Sequence, residues 1–362
     1  MNLIHTAAVR RILIVIVLIW FASDRQRTAA MQGGDGLYGN TFTISALGNG
    51  VHTLTWTPKP GSFAIGNSTF IVGDEDVIVV DSGFSRATGR AILEGLKTIT
   101  DKPVSIVINT HWHADHIFGN QVFHSAFPAA RFVAHPATRD GIISGEVEYR
   151  DANRPKTEAT IDALKKKTTR TEAENQELRR AEMQIEAWQG EYVLPDLLVD
   201  QRLTIVQGQR QVHVMHLGEA NTKGDLVVHL PAERILISGD IAITPMQFAY
   251  FSSPRKWIDT LGRLAAIDAV TIVPGHGPPQ ADKRFIFDLR AMLRSVVEQV
   301  DEGINHDLRI EDFPSTVFSR WVLAAQRPQS QPTTLTAVTP MTPRCNQRDL
   351  SDAGRSGLSN SR

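Results

Sequence analysis

The sequence concentrates metal-binding side chains in one short segment. Residues 111–116 read His-Trp-His-Ala-Asp-His and follow a predicted strand that ends in Asn109 and Thr110. Three imidazoles and a carboxylate would be costly to bury without a cation. His111 and His113 cannot share one face of a helix, but on a turn that leaves a strand they can converge on one ion, and Asp115 and His116 can face a second position nearby. Imidazole with carboxylate suits zinc, with iron as an alternative.

Two later segments each end a predicted strand in a glycine turn that carries one ligand-type side chain. Asp240 follows a glycine at the end of one apolar run, and His276 stands between two glycines after another. Glycine lets the backbone turn tightly while the neighbouring side chain points into a cleft. Either segment alone is a weak signal. Together with the histidine-rich segment, they predict ligands delivered from three strand ends.

The hydrophobic pattern places these segments in a strand-rich fold. Continuous or alternating apolar runs predict strands, and apolar residues at helical spacing predict helices. Two strand-rich halves around a helical interlude therefore predict two stacked sheets flanked by helices. Strands are predicted over 51–57, 63–72, 77–80, 104–108, 131–134, 203–206, 211–216, 226–230, 235–238 and 270–273, and helices over 86–98, 117–127, 256–267 and 283–300.

The helical interlude, about residues 155–193, differs in composition from the rest of the chain. It is rich in Lys, Glu and Arg, and its apolar residues recur at spacings of 3, 4, 3 and 4, namely Leu178, Ala181, Ile185, Trp188 and Tyr192. This spacing puts them on one face of a helix. It predicts one long amphipathic helix, or two with a break near 167–171. The apolar face either packs on the domain as a surface insertion or covers a cleft as a lid.

In their order along the chain, these motifs resemble those of the metallo-β-lactamase-fold hydrolases. The resemblance rests on the histidine-rich segment, on Gly239-Asp240 and on Gly275-His276-Gly277, and Asp81-Ser82-Gly83 is similar to a further motif of the family. It covers roughly residues 45–300 and implies an α+β fold, a four-layer αββα sandwich. The domain is expected to span residues 41–305, with the site at one edge between the sheets.

The resemblance also assigns metal ligands. It implies that His111 and His113 bind a first metal ion and that Asp240 bridges this ion to a second one. The second ion is then held by Asp115, His116 and His276. The implied cofactor is one or two zinc ions, with iron as the alternative.

One position departs from the family pattern. The family usually supplies another ligand to the first metal from a segment of the form His-Thr-x-Gly-Asp, and here Asn221 stands where that histidine is expected. An amide oxygen can bind zinc, more weakly than imidazole, and the amide also donates hydrogen bonds. Asn221 is therefore a candidate ligand. His216 is the alternative, and it could take this place only if the loop were rearranged.

The resemblance implies a hydrolase acting on a small molecule. Zinc lowers the pKa of its bound water to about 7, and the hydroxide attacks an ester, thioester, lactone or amide carbonyl, with β-lactams among the candidates. Asp115 is expected to orient the nucleophile and to carry its proton to the leaving group. Asp81 is either a turn residue or a partner that holds a ligand histidine by a hydrogen bond.

The same motifs are compatible with two other functions. A mononuclear iron oxygenase of the same fold would need a third histidine on one ion, which Asn221 does not provide. A non-catalytic metal-binding protein is the second alternative, because the usual third histidine is missing. The formal net charge of -1 gives no electrostatic case for binding nucleic acid.

The two ends of the chain are expected to lie outside the domain. Arg10 and Arg11 precede an apolar run over 12–22, a pattern typical of a secretory signal and too short for a membrane-spanning helix. Residues 1–30 are thus expected to be a signal peptide or an uncleaved membrane tether, with the protein periplasmic or anchored facing the periplasm. Residues 326–362 are rich in Pro, Ser, Thr and Gln, which predicts a disordered tail. The single cysteine, Cys345, lies in this tail.

Overall fold

The computed structural model describes residues 39–58, 64–244 and 252–306. The predicted N-terminal signal or anchor and the predicted tail lie outside these residues. The strands are β1 (Asn40–Gly48), β2 (Val51–Pro58), β3 (Ser68–Val72), β4 (Val77–Val80), β5 (Val104–Ile108), β6 (Arg131–Ala134), β7 (Leu197–Leu198), β8 (Arg202–Gln207), β9 (Arg210–His216), β10 (Leu226–Leu230), β11 (Ile235–Gly239) and β12 (Thr271–Pro274).

The first helix follows β4, and the last two helices come before and after β12. The helices are α1 (Arg86–Lys97), α2 (Ala114–Ile117), α3 (Asn120–Ala126), α4 (Pro136–Gly141), a π-helix (Ile142–Val147), α5 (Glu148–Lys165), α6 (Glu172–Ala187), α7 (Pro254–Ala266) and α8 (Arg284–Asn305). Within the described ranges, no helix is both long and apolar enough to cross a membrane.

The strands form two sheets. The first has the order β1-β2-β3-β4-β5-β6-β7 and the second the order β12-β11-β10-β9-β8. In the first sheet, β1 to β4 pair antiparallel and β4 to β7 pair parallel. In the second, β11 and β12 are parallel and the remaining pairs are antiparallel. Because β4 is parallel to β5 and β11 is parallel to β12, each pair has its carboxyl ends at the same edge of its sheet.

Three apolar layers hold the four structural layers together. The middle layer joins the facing sides of the two sheets, with Ile78 and Val80 from the first sheet packed among Val228 and Ile237 from the second. One outer layer packs α1 and the end of α6 on the first sheet, and the other packs α7 and α8 on the second. The αββα arrangement predicted from the sequence is therefore confirmed.

Hydrogen bonds tie the two sheets together where the ligand-bearing loops begin. The backbone N–H of Leu226 donates to Thr110 O (2.8 Å), and that of Asn67 donates to Gly275 O (2.7 Å). The Asn67 side chain also donates to Pro274 O (2.9 Å) and Gly277 O (2.7 Å). These bonds fix the loop of His276 against the first sheet.

The helical interlude begins earlier than predicted, its break lies near residues 167–171 as predicted, and the separate helix predicted over 117–127 is divided. Helices begin at Pro136, well before residue 155, because α4 and the π-helix run directly into α5. The break falls between Lys165 and Glu172, where the Thr171 side chain caps α6. The helix predicted over 117–127 is also two pieces, α2 and α3. Local hydrophobic spacing misses such interruptions because a π-turn or a one-turn helix changes few positions in the pattern.

The predicted apolar face of this interlude packs on the domain. Leu178, Ala181 and Trp188 are buried, and Ile185 and Tyr192 are partly buried against the core cluster around Trp188. The helix ends at Ala187, so Trp188 and Tyr192 continue the apolar face beyond it. The interpretation as a packed insertion is therefore confirmed.

Removal of Arg210, a charged residue outside the site, is expected to destabilise the fold. Its side chain, 14% exposed, pairs with Glu233 (Nε–Oε1 2.6 Å), which is 7% exposed, and it also donates to the carbonyl oxygens of Val72 and Asn49. Arg210 thereby links the second sheet to two turns of the first. Arg210→Ala leaves a buried carboxylate unpaired, which should lower the free energy of unfolding by about 3–5 kcal/mol. Urea denaturation of the full chain measures this loss.

The matched control is Arg234→Ala. Arg234 pairs with Asp268, but their side chains are 50% and 77% exposed, so its removal should change the free energy of unfolding by no more than about 1 kcal/mol. Equal losses for the two variants would contradict the role assigned to Arg210.

Candidate metal centre

Four loops that follow strand ends deliver the predicted ligands to one place. The segment 111–116 follows β5, Asp240 follows β11, His276 follows β12, and Asn221 lies in the loop between β9 and β10. Since β4 is parallel to β5 and β11 is parallel to β12, these ends meet at the same edge of the sandwich. The structure brings every predicted ligand into this one cluster.

The first donor group consists of His111, His113 and Asp240, whose ligand atoms all lie close enough to bind one ion. Nε2 of His111 lies 3.1 Å from Nδ1 of His113 and 3.5 Å from Oδ2 of Asp240. His111 is fully buried, and Asp240 is 4% exposed.

The second donor group consists of Asp115, His116 and His276. Nε2 of His116 lies 3.3 Å from Nε2 of His276 and 3.4 Å from Oδ2 of Asp115. The third distance within this group, from His276 Nε2 to Asp115 Oδ2, is 3.1 Å.

Asp240 stands between the two groups. Its Oδ1 lies 3.4 Å from His116 Nε2, and its Oδ2 lies 3.5 Å from His111 Nε2. Oδ2 also lies 3.6 Å from His276 Nε2, so one carboxylate faces both groups, as a bridging ligand does.

These distances fit zinc. Donors held about 2.1 Å from one zinc ion in a tetrahedron lie about 3.4 Å apart. The distances given above, together with 3.6 Å from His276 Nε2 to Asp240 Oδ2, run from 3.1 to 3.6 Å, and all ligand atoms within each group lie within 4.8 Å of one another. The donor atoms are imidazole nitrogens and carboxylate oxygens, the set that zinc prefers in catalytic sites. The residues present therefore fit one or two such ions.

The charges of the cluster also favour a cation. Burial lowers the pKa of His111 well below its usual value and lowers that of His113, which keeps both imidazoles neutral. Burial acts in the same direction on His116 and His276, but Asp240 and Asp115 outweigh it, raising the pKa of His116 well above normal and that of His276 to about 9. The carboxylates thus stabilise positive charge in the second group, and a bound divalent ion would supply that charge.

Asp81 orients one of the ligand histidines. Its Oδ2 lies 2.8 Å from His116 Nδ1 and accepts a hydrogen bond from Thr110 Oγ1 at 2.8 Å, and its Oδ1 accepts from Thr110 N at 2.8 Å. A bond from Nδ1–H to Asp81 leaves the lone pair of Nε2 facing the donor group. Thr110 Oγ1 also lies 3.0 Å from His111 Nδ1. The structure therefore supports Asp81 as a partner of a ligand histidine.

A buried network behind His116 was missed by the sequence analysis. Asn109 and Asn120 exchange side-chain hydrogen bonds (3.1 and 2.7 Å), and Ser82 Oγ donates to Asn120 Oδ1 at 2.8 Å. Asn109 Nδ2 also donates to the carbonyl oxygen of His116 at 3.4 Å. The available signal was Asn109, a polar residue between an apolar strand and the histidine-rich segment. Its partner Asn120 could not be paired with it from sequence.

Asn221 lies against the first donor group. It is fully buried, and its Nδ2 donates to Asp240 Oδ2 (3.4 Å) and lies 3.4 Å from His113 Nδ1. Its Oδ1 is buried and has no hydrogen-bond partner among the described residues. A half-turn of the amide exchanges the two atoms and brings Oδ1 to the donor group. The prediction that Asn221 stands next to the metal ligands agrees with this geometry.

The alternative ligand, His216, points elsewhere. Its Nδ1 lies 3.0 Å from the carbonyl oxygen of Asp225, and its ring packs on that of His135 with centroids 4.3 Å apart. It belongs to neither donor group. Asp225 instead fixes the Asn221 loop, because its Oδ2 accepts from Thr222 N (2.7 Å) and Thr222 Oγ1 (3.1 Å).

The family model of the metallo-beta-lactamase superfamily matches residues 61–276. The chain belongs to this superfamily. The matched range contains the four ligand-bearing loops described above, and membership in the superfamily confirms the resemblance drawn from the motifs.

Individual members of the superfamily are only distantly similar. A linear primary-alkylsulfatase from a Pseudomonas species is 24% identical over 260 residues, which cover 64% of this chain and 45% of that protein. The chain therefore spans less than half of that relative's length. A metallo-β-lactamase from Pontibacter korlensis has a similar structure, with a TM-score of 0.53 and 18% identity, over 70% of this chain and 99% of that one. The DIM-1 metallo-β-lactamase also has a similar structure, with a TM-score of 0.50 and 13% sequence identity, over 70% of this chain and 97% of that one. At these identities the structures show the shared fold alone.

Proposed function

We propose that this protein is a zinc-dependent hydrolase of small molecules, with two ions bridged by Asp240. The observation that carries the proposal is the position of Asp240, whose Oδ1 lies 3.4 Å from His116 in the second donor group and whose Oδ2 lies 3.5 Å from His111 in the first. His111, His113 and Asn221 would complete the first site. Asp115, His116 and His276 would complete the second.

Zinc bound in such a site lowers the pKa of water to about 7 and polarises the bond to be cleaved. The protein's own residues hold and orient the ligands, with Asp81 fixing the Nδ1 proton of His116. Asp115, which is partly exposed, is placed at the edge of the second group. It can accept the proton of the attacking water on a carboxylate oxygen and return it to the leaving group.

Two substrate classes follow from different observations. The family resemblance favours a carbonyl substrate, namely an ester, thioester, lactone or amide, with β-lactams included. The alkylsulfatase relative favours a sulfate ester as the second candidate. The apolar run before residue 23 supports an exported protein, either periplasmic or tethered to the membrane.

A metal analysis with a substrate panel tests the proposal. The purified full chain should contain one or two zinc ions and should turn over at least one of a nitrophenyl ester, a thioester, a lactone, a chromogenic cephalosporin or a primary alkyl sulfate. A chelator should abolish that turnover, and added zinc should restore it. Iron together with oxygen consumption would favour the oxygenase alternative, and bound metal without any turnover would favour the non-catalytic one.

Asn221→His is expected to strengthen the first zinc site. Imidazole is a better zinc donor than an amide, and the Asn221 Oδ1 atom is buried with no hydrogen-bond partner among the described residues. Even groups that merely hydrogen-bond to a ligand alter metal affinity about 10- to 100-fold, so the gain should exceed about tenfold. Competition with a chromogenic chelator measures the affinity, and Asn221→Ala should show the opposite change. Affinities equal to the parent's in both variants would place Asn221 outside the ligand set.

A further inference from the structure

The helical insertion touches the ligand-bearing segment through one aromatic side chain. Trp112 lies between the two ligands His111 and His113, and its ring packs edge-on against that of His113, with centroids 4.8 Å apart. On its other side, the indole lies along Gly141 and Gly145, at the end of α4 and within the π-helix. A β-carbon on Gly141 would stand 2.5 Å from Trp112 Cδ1, and one on Gly145 would stand 2.7 Å from Cζ3.

These two glycines form a notch for the indole. Residues four apart lie on the same face of a helix, so the notch receives the pyrrole end of the ring at Gly141 and the benzene end at Gly145. Glycine is among the poorest helix formers, and a helix that keeps two of them on one face needs a packing reason. The close approach of Trp112 provides that reason.

The same segment also reaches the loop of Asn221. Thr138 in α4 is fully buried, and its hydroxyl donates to Gly224 O at 2.8 Å. The contact is tight, because a β-carbon on Gly224 would lie 2.7 Å from both the backbone nitrogen and the hydroxyl oxygen of Thr138.

We propose that α4 and the π-helix form a positioning element that holds two ligand-bearing loops, 111–116 and 221–225, at a fixed separation. Trp112 and Thr138 are its positioning residues, one for each loop. The inference rests on the proposed metal-dependent function and explains why the insertion begins at Pro136, next to the site. The first donor group draws on both loops, since His111 and His113 lie on one and Asn221 on the other. A loosened element should therefore weaken the first site more than the second.

Gly145→Ala tests the contact with Trp112. Alanine is the better helix former, so a glycine without a tertiary role would tolerate the change. With the notch filled, zinc affinity at the first site should fall about tenfold, in line with the effect of disturbing groups around ligands. The visible absorption bands of the cobalt-substituted protein should change as the first site distorts. Gly262→Ala in α7 is the control, because its β-carbon would meet only the flexible end of Arg290.

A double-mutant cycle separates the notch from a general effect on the fold. In a Trp112→Leu background the indole is gone, so adding Gly145→Ala should cause little further loss of zinc affinity. If the losses of zinc affinity in Trp112→Leu and Gly145→Ala simply added in the double variant, the contact between Trp112 and Gly145 would not be their cause.

Thr138 supplies a test that does not depend on the glycine variants folding. Thr138→Val removes the hydroxyl that holds Gly224 and should weaken zinc binding at the first site about tenfold. Thr138→Ser keeps the hydroxyl and should restore both the affinity and the cobalt spectrum.

The outcomes distinguish the two proposals. A parent protein that binds no zinc or cobalt would overturn the proposed function. A parent that binds metal, with Gly145→Ala and Thr138→Val binding it equally well and with unchanged cobalt spectra, would overturn the positioning element alone.

Discussion

His116→Ala is expected to lower bound zinc and turnover together, with turnover falling by more than about 100-fold. Nε2 of His116 lies within 3.4 Å of Asp115, Asp240 and His276, so this one atom is central to the second donor group. Alteration of groups that only contact a ligand costs about 10- to 100-fold in affinity or activity, and loss of a ligand should cost more. Metal content by elemental analysis and steady-state rates on a substrate from the panel measure the two effects.

The change also leaves Asp81 without its histidine partner, so the folded state must be checked by circular dichroism. His124→Ala is the matched control, because His124 is an exposed histidine of α3 whose ring meets that of Phe132 edge-on, with centroids 6.0 Å apart. It should keep the zinc content and the rate of the parent. Unchanged zinc and full activity in His116→Ala would refute the assignment of the second group.

Gly275→Ala is expected to disrupt both sites at once. A β-carbon at this position would lie 1.8 Å from Asp240 Oδ1 and 2.5 Å from the carbonyl carbon of Gly239. The neighbouring backbone is held by hydrogen bonds, because Gly275 N donates to Gly239 O at 2.7 Å and Gly275 O accepts from Asn67 N. Both the Asp240 carboxylate and this hydrogen-bonded backbone must therefore shift. Since a misplacement of about 1 Å can cost about 100-fold in rate, turnover should fall by about that factor.

Because Asp240 faces both groups, zinc should be lost from both sites, and the stoichiometry from chelator titration reports this directly. Gly262→Ala again serves as the glycine control, as its neighbour can rotate away. Retention of two tightly bound ions by Gly275→Ala would mean that Asp240 does not bridge them.

Most of the fold could be predicted because its strands are short, apolar and separated by clear turns. The bounds of β4, β5, β6 and β10 match their predicted ranges. A run such as Val77–Val80 is buried along its whole length, which is the pattern that marks a buried strand in sequence. The two-residue strand β7 was not predicted, because two residues carry no periodicity. It exists through pairing with β6.

The amphipathic face of the insertion was visible in the sequence, but its start was not. The segment from Pro136 to Val147 carries two glycines and few apolar residues, so its pattern does not resemble a core helix. It is helical because Trp112 and Gly224 pack against it, and such tertiary contacts override local propensity.

The sequence by itself determined which residues can bind metal. The types and order of His111, His113, Asp115, His116, Asp240 and His276 identified the ligand set and the superfamily, because few other chemistries use that combination at strand ends. This part is local, since each ligand sits in a short motif whose turn is encoded by neighbouring glycines.

Only the tertiary structure decided how these motifs combine. It placed Asn221 within 3.4 Å of both His113 and Asp240, gave His116 its partner Asp81, and set Trp112 into the notch of Gly141 and Gly145. Each of these contacts joins residues about 30 or more positions apart in the chain, except for the spacing of 19 between Asn221 and Asp240. The physical reason is that such contacts depend on how two sheets and an insertion pack in space, and periodicity along the chain carries no information about which distant side chains will meet.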